Sequence, residues 1–247
     1  MVRKARASGR AGPRAIELIQ ENEPKPIMIM ILEAASAGRA NASYQLEVVL
    51  NGSQPCIWRR LQVPSSASLG WLHAVLQVAM GWTNSHLHQF ICGEHMYADP
   101  SAQLVQYEGD PPVLDETKAT LADVVGHINQ GLVYEYDFGD SWEHIVTVEK
   151  ILPGDASTKT AAVCVAGERA CPPEDCGGLG GYAELLRALK NRKHPEHKSM
   201  KEWLGRPFDP ELFEVAKTNT WLRKLKWPRV TEGQLRKVLM ARDAYHE

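Results

Sequence analysis

The first side chains whose type and spacing could carry chemistry are two histidines, His86 and His88, separated by one leucine. Residues two apart in an extended segment point to the same side, so both imidazoles would share one face. Imidazole is a common zinc ligand, and the pair could supply half of a metal site. The alternative is one solvent-facing histidine and one hydrogen-bonded core histidine.

A second polar group lies in residues 134–144, YEYDFGDSWEH. If its Gly-Asp dipeptide forms a two-residue turn, Asp137 pairs with Trp142 and Glu135 pairs with His144. The two carboxylates and the imidazole would then lie on one face, where a carboxylate can orient a histidine or join it on a metal. The alternative is a turn whose aspartates bond their own backbone.

A third group contains Cys164, Cys171 and Cys176, which are separated by six and four residues. This is not the paired C-x-x-C spacing of a zinc ribbon. Together with Glu174 and Asp175 the thiols could still supply ligands, and N and S ligands would favour zinc over magnesium. The alternative is a rigid loop, because consecutive prolines and several glycines constrain the backbone and thiols pack as small buried groups.

Enzyme motifs do not assign a reaction to these groups. The tripeptide DFG at 137–139 occurs in protein kinases, but no HRD-type catalytic loop precedes it. The glycines at 177–181 are not followed by the Lys-Ser/Thr of a Walker A loop. The chain also contains neither a G-x-S-x-G elbow nor an H-E-x-x-H motif.

The composition limits the class of protein. The chain has 247 residues, 44% of them hydrophobic, which suffices for one large core or two modest ones. A net charge of -2 argues against a disordered acidic protein and a strongly basic nucleic-acid binder. Five cysteines, an odd number, argue against a disulfide scaffold. The apolar run at 27–32 is shorter than the roughly 20 residues that a bilayer requires. We therefore predict a cytoplasmic protein without a membrane partner.

Hydrophobic periodicity predicts the elements that position these side chains. Apolar residues alternate at 44–50 and 57–63 on either side of an Asn-Gly turn signal, which predicts a hairpin. Ser68 can cap a following helix with one apolar stripe, and Gly81 is placed to end it.

The middle of the chain predicts more strands. Residues 88–97 form a third strand region, and residues 132–138 and 142–152 form a second hairpin. A loop at 99–118 and a short capping-box turn at Thr120 lie between them. This order favours an α+β fold in which a mixed β-sheet packs on a helix in a β-grasp-like layout, with a Gly/Pro/Cys-rich loop and a C-terminal helical extension.

The C-terminal part predicts three helices. They cover residues 182–190, the stretch that Asp209 caps and that runs to about 225, and residues 231–245. The predicted divisions of the chain are a flexible segment at 1–40, a domain at 41–225 and a helical tail at 226–247.

Basic residues near the tail are candidates for contact with nucleic acid, because they alternate with Trp221 and Trp227. These residues are Arg223, Lys224, Lys226 and Arg229. The alternative is an ordinary solvated helix face, which the near-neutral net charge favours.

Several segments carry a family resemblance by their order: residues 44–63 with Ile57-Trp58-Arg59, Gly81-Trp82, His86-Leu87-His88, residues 134–144, residues 170–178 and Phe208-Asp209. Together they resemble the plasmid pRiA4b ORF three-like family over about 44–225. The resemblance implies an association with plasmids and mobile elements and no established reaction. It also implies that the three polar groups belong to one shared site.

We therefore predict a binding or regulatory module with a zinc-type site. Its candidate metal ligands are His86, His88, Asp137, His144, Cys171 and Cys176. Further polar residues of the site are Glu135, Asp140, Trp142, Glu174 and Asp175. One alternative is a hydrolase in which a metal, or Asp137 with His144, activates water towards a phosphoester-like bond. The other is a DNA-associated protein linked to mobile elements.

Overall fold

The computed structural model describes residues 42–102, 104, 109, 112–153 and 162–244. The predicted flexible segment at 1–40, and the apolar run within it, lie outside these residues. In the described part, one eight-stranded mixed sheet is combined with six α-helices, which confirms the predicted α+β class. The β-grasp-like layout stays a prediction. None of the described helices is both long enough and apolar enough to cross a membrane.

The sheet has the order β5-β4-β3-β6-β7-β1-β2-β8, and its neighbours are antiparallel except for β4 and β5. The strands are β1 Ser43–Leu50, β2 Trp58–Pro64, β3 His88–Cys92, β4 His95–Ala98, β5 Val113–Asp115, β6 Gly131–Tyr136, β7 Trp142–Leu152 and β8 Val163–Glu168. The helices are α1 Leu69–Met80, α2 Leu121–Val124, α3 Gly178–Lys190, α4 His197–Leu204, α5 Val215–Leu222 and α6 Glu232–Ala244. The predicted third strand region is thus a hairpin of β3 and β4.

Helix α1 has the predicted ends. The Ser68 hydroxyl accepts a hydrogen bond from Trp71 N, and Gly81 ends the helix in the left-handed conformation with φ 103°. The helix is buried almost all round rather than along one stripe, because eleven of its twelve residues are buried. Two of these, His73 and Gln77, bring polar groups into the core.

Residues near the C-terminus cover α1. The indole of Trp71 donates to Lys226 O at 3.0 Å. The buried guanidinium of Arg242 donates to Gln77 O at 3.3 Å and to Trp82 O at 2.9 Å. The predicted helical tail therefore packs against the sheet-bound helix through its described residues.

The hairpin of β6 and β7 differs from the predicted register by one residue. Tyr136 pairs with Trp142 and Tyr134 pairs with His144, so the predicted pairs of Asp137 and Glu135 are wrong. Asp137 has φ 59°, and its own backbone carbonyl accepts from Ser141 N at 2.6 Å. The turn thus begins before the Gly-Asp dipeptide, because a short polar residue tolerates the left-handed conformation and can bond its own loop.

The stretch before the last helix also differs from prediction. Asp209 does not cap a helix, because its carboxylate accepts from Glu211 N at 2.9 Å in a turn, and α5 begins at Val215. Strand β8 and helix α4 were not predicted. Strand β8 lies at the sheet edge, where the Asn219 side chain forms two 2.8 Å hydrogen bonds with the backbone of Cys164. This amide occupies backbone groups that an edge strand would otherwise leave open.

Candidate functional site

A histidine and three carboxylates meet beside the β6–β7 turn. The Nε2 atom of His86 lies 3.2 Å from Asp175 Oδ1, 3.7 Å from Asp137 Oδ2 and 3.9 Å from Glu174 Oε2. This nitrogen is buried and has no hydrogen-bond partner among the described residues. Ligand atoms of His86, Asp137 and Asp175 lie within 4.8 Å of one another. We call these three residues the His86 cluster.

Strand pairing brings the first two members together. His86 precedes β3, and Asp137 directly follows β6, its neighbour in the sheet. Asp137 N donates to Leu87 O at 2.9 Å, which extends the pairing past the end of β6. The Asp137 carboxylate is buried, with Oδ1 3.0 Å from Gly139 N. Its other oxygen is the one that faces His86.

The Pro/Cys-rich loop supplies the remaining carboxylates. Glu174 accepts hydrogen bonds from Thr83 N at 2.6 Å, Thr83 Oγ1 at 2.8 Å and the hydroxyl of Tyr136 at 3.0 Å. Asp140 accepts from Gly177 N at 3.1 Å, which joins the loop to the turn. The loop therefore brings Glu174 and Asp175 next to His86 and Asp137, which the sheet positions.

Tyr136 holds the two halves of the site in place. Its hydroxyl accepts from Ser85 N at 3.0 Å and donates to Glu174. Burial, and then the charge of Glu174, raises the pKa of Tyr136 far above its usual range, so the hydroxyl stays a donor at neutral pH. Its ring also lies edge-on to the imidazole of His86, with centroids 5.9 Å apart.

The structure places the other predicted ligands elsewhere. His88 bonds Glu116, with Nε2 2.9 Å from Oε2. His144 is fully buried, and its Nδ1 bonds Tyr134 O at 3.1 Å. Burial lowers the pKa of His144 to about 4, so this ring is neutral at physiological pH. These contacts place His88 and His144 in the core, outside the His86 cluster.

The cysteines do not belong to the His86 cluster. Cys171 is buried near the guanidinium of Arg59, and burial raises the pKa of its thiol to about 11. Burial, followed by the charge of Asp140, raises the pKa of the Cys176 thiol to about 12. Both side chains are therefore thiols rather than thiolates at neutral pH.

Two further predicted polar residues also lie apart from the cluster. Glu135 pairs with Glu143 in the sheet and accepts hydrogen bonds from Gln89 Nε2 at 2.7 Å and the hydroxyl of Ser141 at 3.0 Å. Trp142 is buried against Trp82. The one-residue difference in register explains the position of Glu135, since it places this side chain on the face of the sheet opposite His144.

An open cleft of about 990 Å³ lies next to the His86 cluster and is bordered by both His86 and His88. Its lining includes Glu116 and His73, which sequence reasoning missed. Helix α1 is buried almost all round, so a polar residue within it, such as His73, was the available signal. Glu116 lies in a segment that was predicted to be a loop, and no local pattern marked it.

Burial controls the protonation of His73, His88 and Glu116. The pKa of His73 is lowered to about 3, first by burial and then by His88, and burial lowers that of His88 to about 4. The pKa of Glu116 is raised by burial to about 7. A carboxylic acid that donates to a neutral imidazole is therefore the favoured form of the pair below pH 7.

The candidate nucleic-acid residues Arg223, Lys224, Lys226 and Arg229 are all exposed. The Lys224 ammonium lies 3.9 Å from the ring centroid of Trp221, and Arg229 borders the cleft.

Comparisons with known proteins agree with the resemblance in the sequence. A family model described as plasmid pRiA4b ORF-3-like protein matches residues 42–217. The uncharacterized protein y4hQ of Sinorhizobium fredii is 35% identical over 188 residues, which cover 75% of this chain and 94% of that protein. A crystal structure of a protein of unknown function from Methanosarcina mazei Go1 is similar with a TM-score of 0.62 and 38% identity, covering 71% of this chain and 96% of the other.

Proposed function

This chain belongs to the plasmid pRiA4b ORF-3-like family, and we propose that it is a binding module for a divalent transition-metal ion, with zinc as the first candidate. The ligands are His86, Asp137 and Asp175. One observation carries the proposal: the buried Nε2 atom of His86 faces carboxylate oxygens and has no hydrogen-bond partner in the described part of the chain. A metal ion would give this nitrogen a partner.

The separations suit a small ion. Two ligand atoms bound tetrahedrally to zinc lie about 3.3 Å apart, because each is about 2.0–2.1 Å from the metal. The His86 nitrogen lies 3.2 Å and 3.7 Å from the two aspartate oxygens. One imidazole with carboxylates suits zinc or manganese better than magnesium, which prefers oxygen ligands and water.

A competing arrangement uses no metal. A protonated His86 beside the carboxylates of Asp137 and Asp175 would form an ion-pair cluster. The two arrangements differ in a measurable way, because metal ligation needs the neutral imidazole and releases a proton when His86 was charged beforehand.

The test is zinc binding by isothermal titration calorimetry at pH 7.5, followed by elemental analysis of the dialysed complex. We expect one zinc ion per wild-type chain and loss of that ion in His86→Ala and Asp175→Asn. His95→Ala is the matched control, since His95 is exposed on β4, outside the His86 cluster. Equal zinc affinity in His86→Ala and His95→Ala would reject the site.

A second candidate function is metal-assisted hydrolysis of a phosphoester-like bond. It is favoured by the position of His86 at the border of the open cleft. Three protein ligands leave a position for water, whose pKa a bound zinc ion lowers towards neutrality. Zinc-dependent turnover of a phosphoester panel should disappear in His86→Ala and persist in His95→Ala. Equal background rates in wild type and His86→Ala would leave the module as a binding protein.

A further inference from the structure

The cleft contains a buried acid that the proposed metal site does not use. Helix α1 contributes Gly70 to the lining, β3 contributes His88 and α6 contributes Leu235. Glu116 also lines the cleft, although its side chain is only 4% exposed. A cavity of about 990 Å³ is large enough for a small organic molecule.

The backbone leaves room for the carboxyl group of Glu116. A Cβ atom on Gly70 would lie 3.0 Å from Glu116 Oε1, so a side chain there would crowd this oxygen. The other oxygen, Oε2, is 2.9 Å from His88 Nε2. One oxygen is therefore held by His88, and the other lies beside the glycine that borders the cleft.

Glu116 lacks a cationic partner in the described part of the chain. Lys118 pairs with Asp115 instead, at 2.9 Å, and is itself largely exposed. His88 is the one ion-pair partner of Glu116 found there, and burial keeps its ring neutral at physiological pH. Burial disfavours an ionised Glu116 most, and the charges of Asp99 and Asp115 add to this effect. An external cation would offset all of these effects.

An organic cation fits this place better than a metal ion. The three-ligand grouping found among the described residues is the His86 cluster, and it does not include Glu116. A single available carboxylate with the apolar neighbours Trp71, Val230 and Leu235 suits a charged group on a carbon chain. A primary ammonium can donate to the carboxylate while its alkyl part lies on the apolar wall.

We propose that this cleft binds a small organic molecule through a protonated primary amine that donates to the Glu116 carboxylate. The stacked rings of His73 and His88 give the cleft an uncharged surface beside Glu116. The other charged groups that line the cleft are exposed, and they are Asp99, Lys118, Arg229 and Glu232. This proposal does not depend on a bound metal.

The test compares n-butylamine with n-butanol by calorimetry on the full chain, with excess chelator present to remove metal from the His86 cluster. We expect the amine to bind at millimolar concentration and the alcohol to bind at least about tenfold more weakly, because a charge-assisted bond is lost. Glu116→Gln should weaken amine binding by at least about tenfold. The control Glu143→Gln, an exposed acid outside the cleft, should change it less than about twofold.

Wild-type protein supplies an independent readout in case Glu116→Gln fails to fold. Amine affinity should rise about tenfold from pH 6 to pH 8, since Glu116 must ionise and its pKa is about 7. Equal affinity for the alcohol, unchanged binding in a folded Glu116→Gln, a flat pH profile or no amine binding would each overturn the proposal.

Discussion

The imidazole rings of His73 and His88 stack face to face in the core, with centroids 3.5 Å apart and planes 5° from parallel. The Tyr134 hydroxyl accepts from Gln77 and donates to His73 Nδ1 at 2.8 Å, because the neutral His73 ring carries its one N–H on Nε2. His73 Nε2 then donates to Asn84 Oδ1 at 2.7 Å. These bonds satisfy a neutral imidazole, and a second charge at this distance would be repelled.

Acid should destabilise the fold through its buried histidines. The pKa values of His73, His88 and His144 are about 3, 4 and 4, all lowered first by burial. The unfolded chain binds these protons near pH 6.5, so the free energy of unfolding should decrease as pH falls below about 6.5. Glu116 acts in the opposite direction, but it is one group against three. Urea unfolding at pH 8 and pH 4.5 should show a loss of at least about 3 kcal/mol. A constant or rising stability towards pH 4.5 would contradict this assignment.

Glu116→Gln should remove the loss of stability that accompanies ionisation of Glu116. The folded-state pKa of Glu116 is raised to about 7, so its ionisation costs stability as pH rises from about 4.5 through 7. Glutamine does not titrate, and relative to wild type the variant should gain about 2.5 kcal/mol between pH 5 and pH 8. Urea unfolding of both proteins at the two pH values measures this difference. Glu143→Gln, at an exposed acid outside the cleft, is the matched control, and an equal gain in that variant would contradict the prediction.

Gly178→Ala should disturb the contact between the Pro/Cys-rich loop and the β6–β7 turn. Gly178 has φ 66°, and a Cβ atom there would lie 2.8 Å from Asp140 O. We expect a loss of about 1–3 kcal/mol in stability, with weaker zinc binding because the loop carries Asp175. Gly180→Ala is the matched control, since its Cβ meets nothing within 4 Å and alanine favours a helix. Thermal unfolding and zinc titration of both variants test this, and equal behaviour would contradict it.

Tyr136→Phe should weaken the metal site without removing a ligand. The hydroxyl connects Ser85 N with Glu174, which are the chain neighbours of the ligands His86 and Asp175, and outer hydrogen bonds that orient ligands typically change metal affinity by about 10–100-fold. We therefore expect at least about tenfold weaker zinc binding with an intact circular dichroism spectrum. Tyr97→Phe, on β4, should bind zinc like wild type. Unchanged affinity in Tyr136→Phe would show that the hydroxyl does not organise the ligands.

Zinc should stabilise the folded chain. A ligand at about 100 times its dissociation constant adds about 2.7 kcal/mol when it binds only the folded state. Chelator should lower the melting temperature of zinc-loaded wild type and His95→Ala, but should have no effect on His86→Ala. A shift of equal size in His86→Ala would indicate that zinc binds elsewhere.

The sequence by itself determined those helix ends that depend only on residues close together in the chain. The helix between Ser68 and Gly81 formed as predicted because its cap and its stop are local backbone requirements. The capping box of Thr120 and Asp123 is present for the same reason. The ordered motifs also identified the family, since several short segments in one order are more specific than any one of them.

Tertiary structure decided which polar residues meet. His86, Asp137 and Asp175 come from distant parts of the chain, and their approach depends on the pairing of β3 with β6 and on a loop that returns to the turn. The partnership of His88 with Glu116 likewise depends on strand order. Periodicity states which face a residue occupies, but not which strand lies beside it, because pairing reflects the packing energy of the whole sheet. For that reason only the tertiary structure separated His86 and Asp137 from the other candidate ligands.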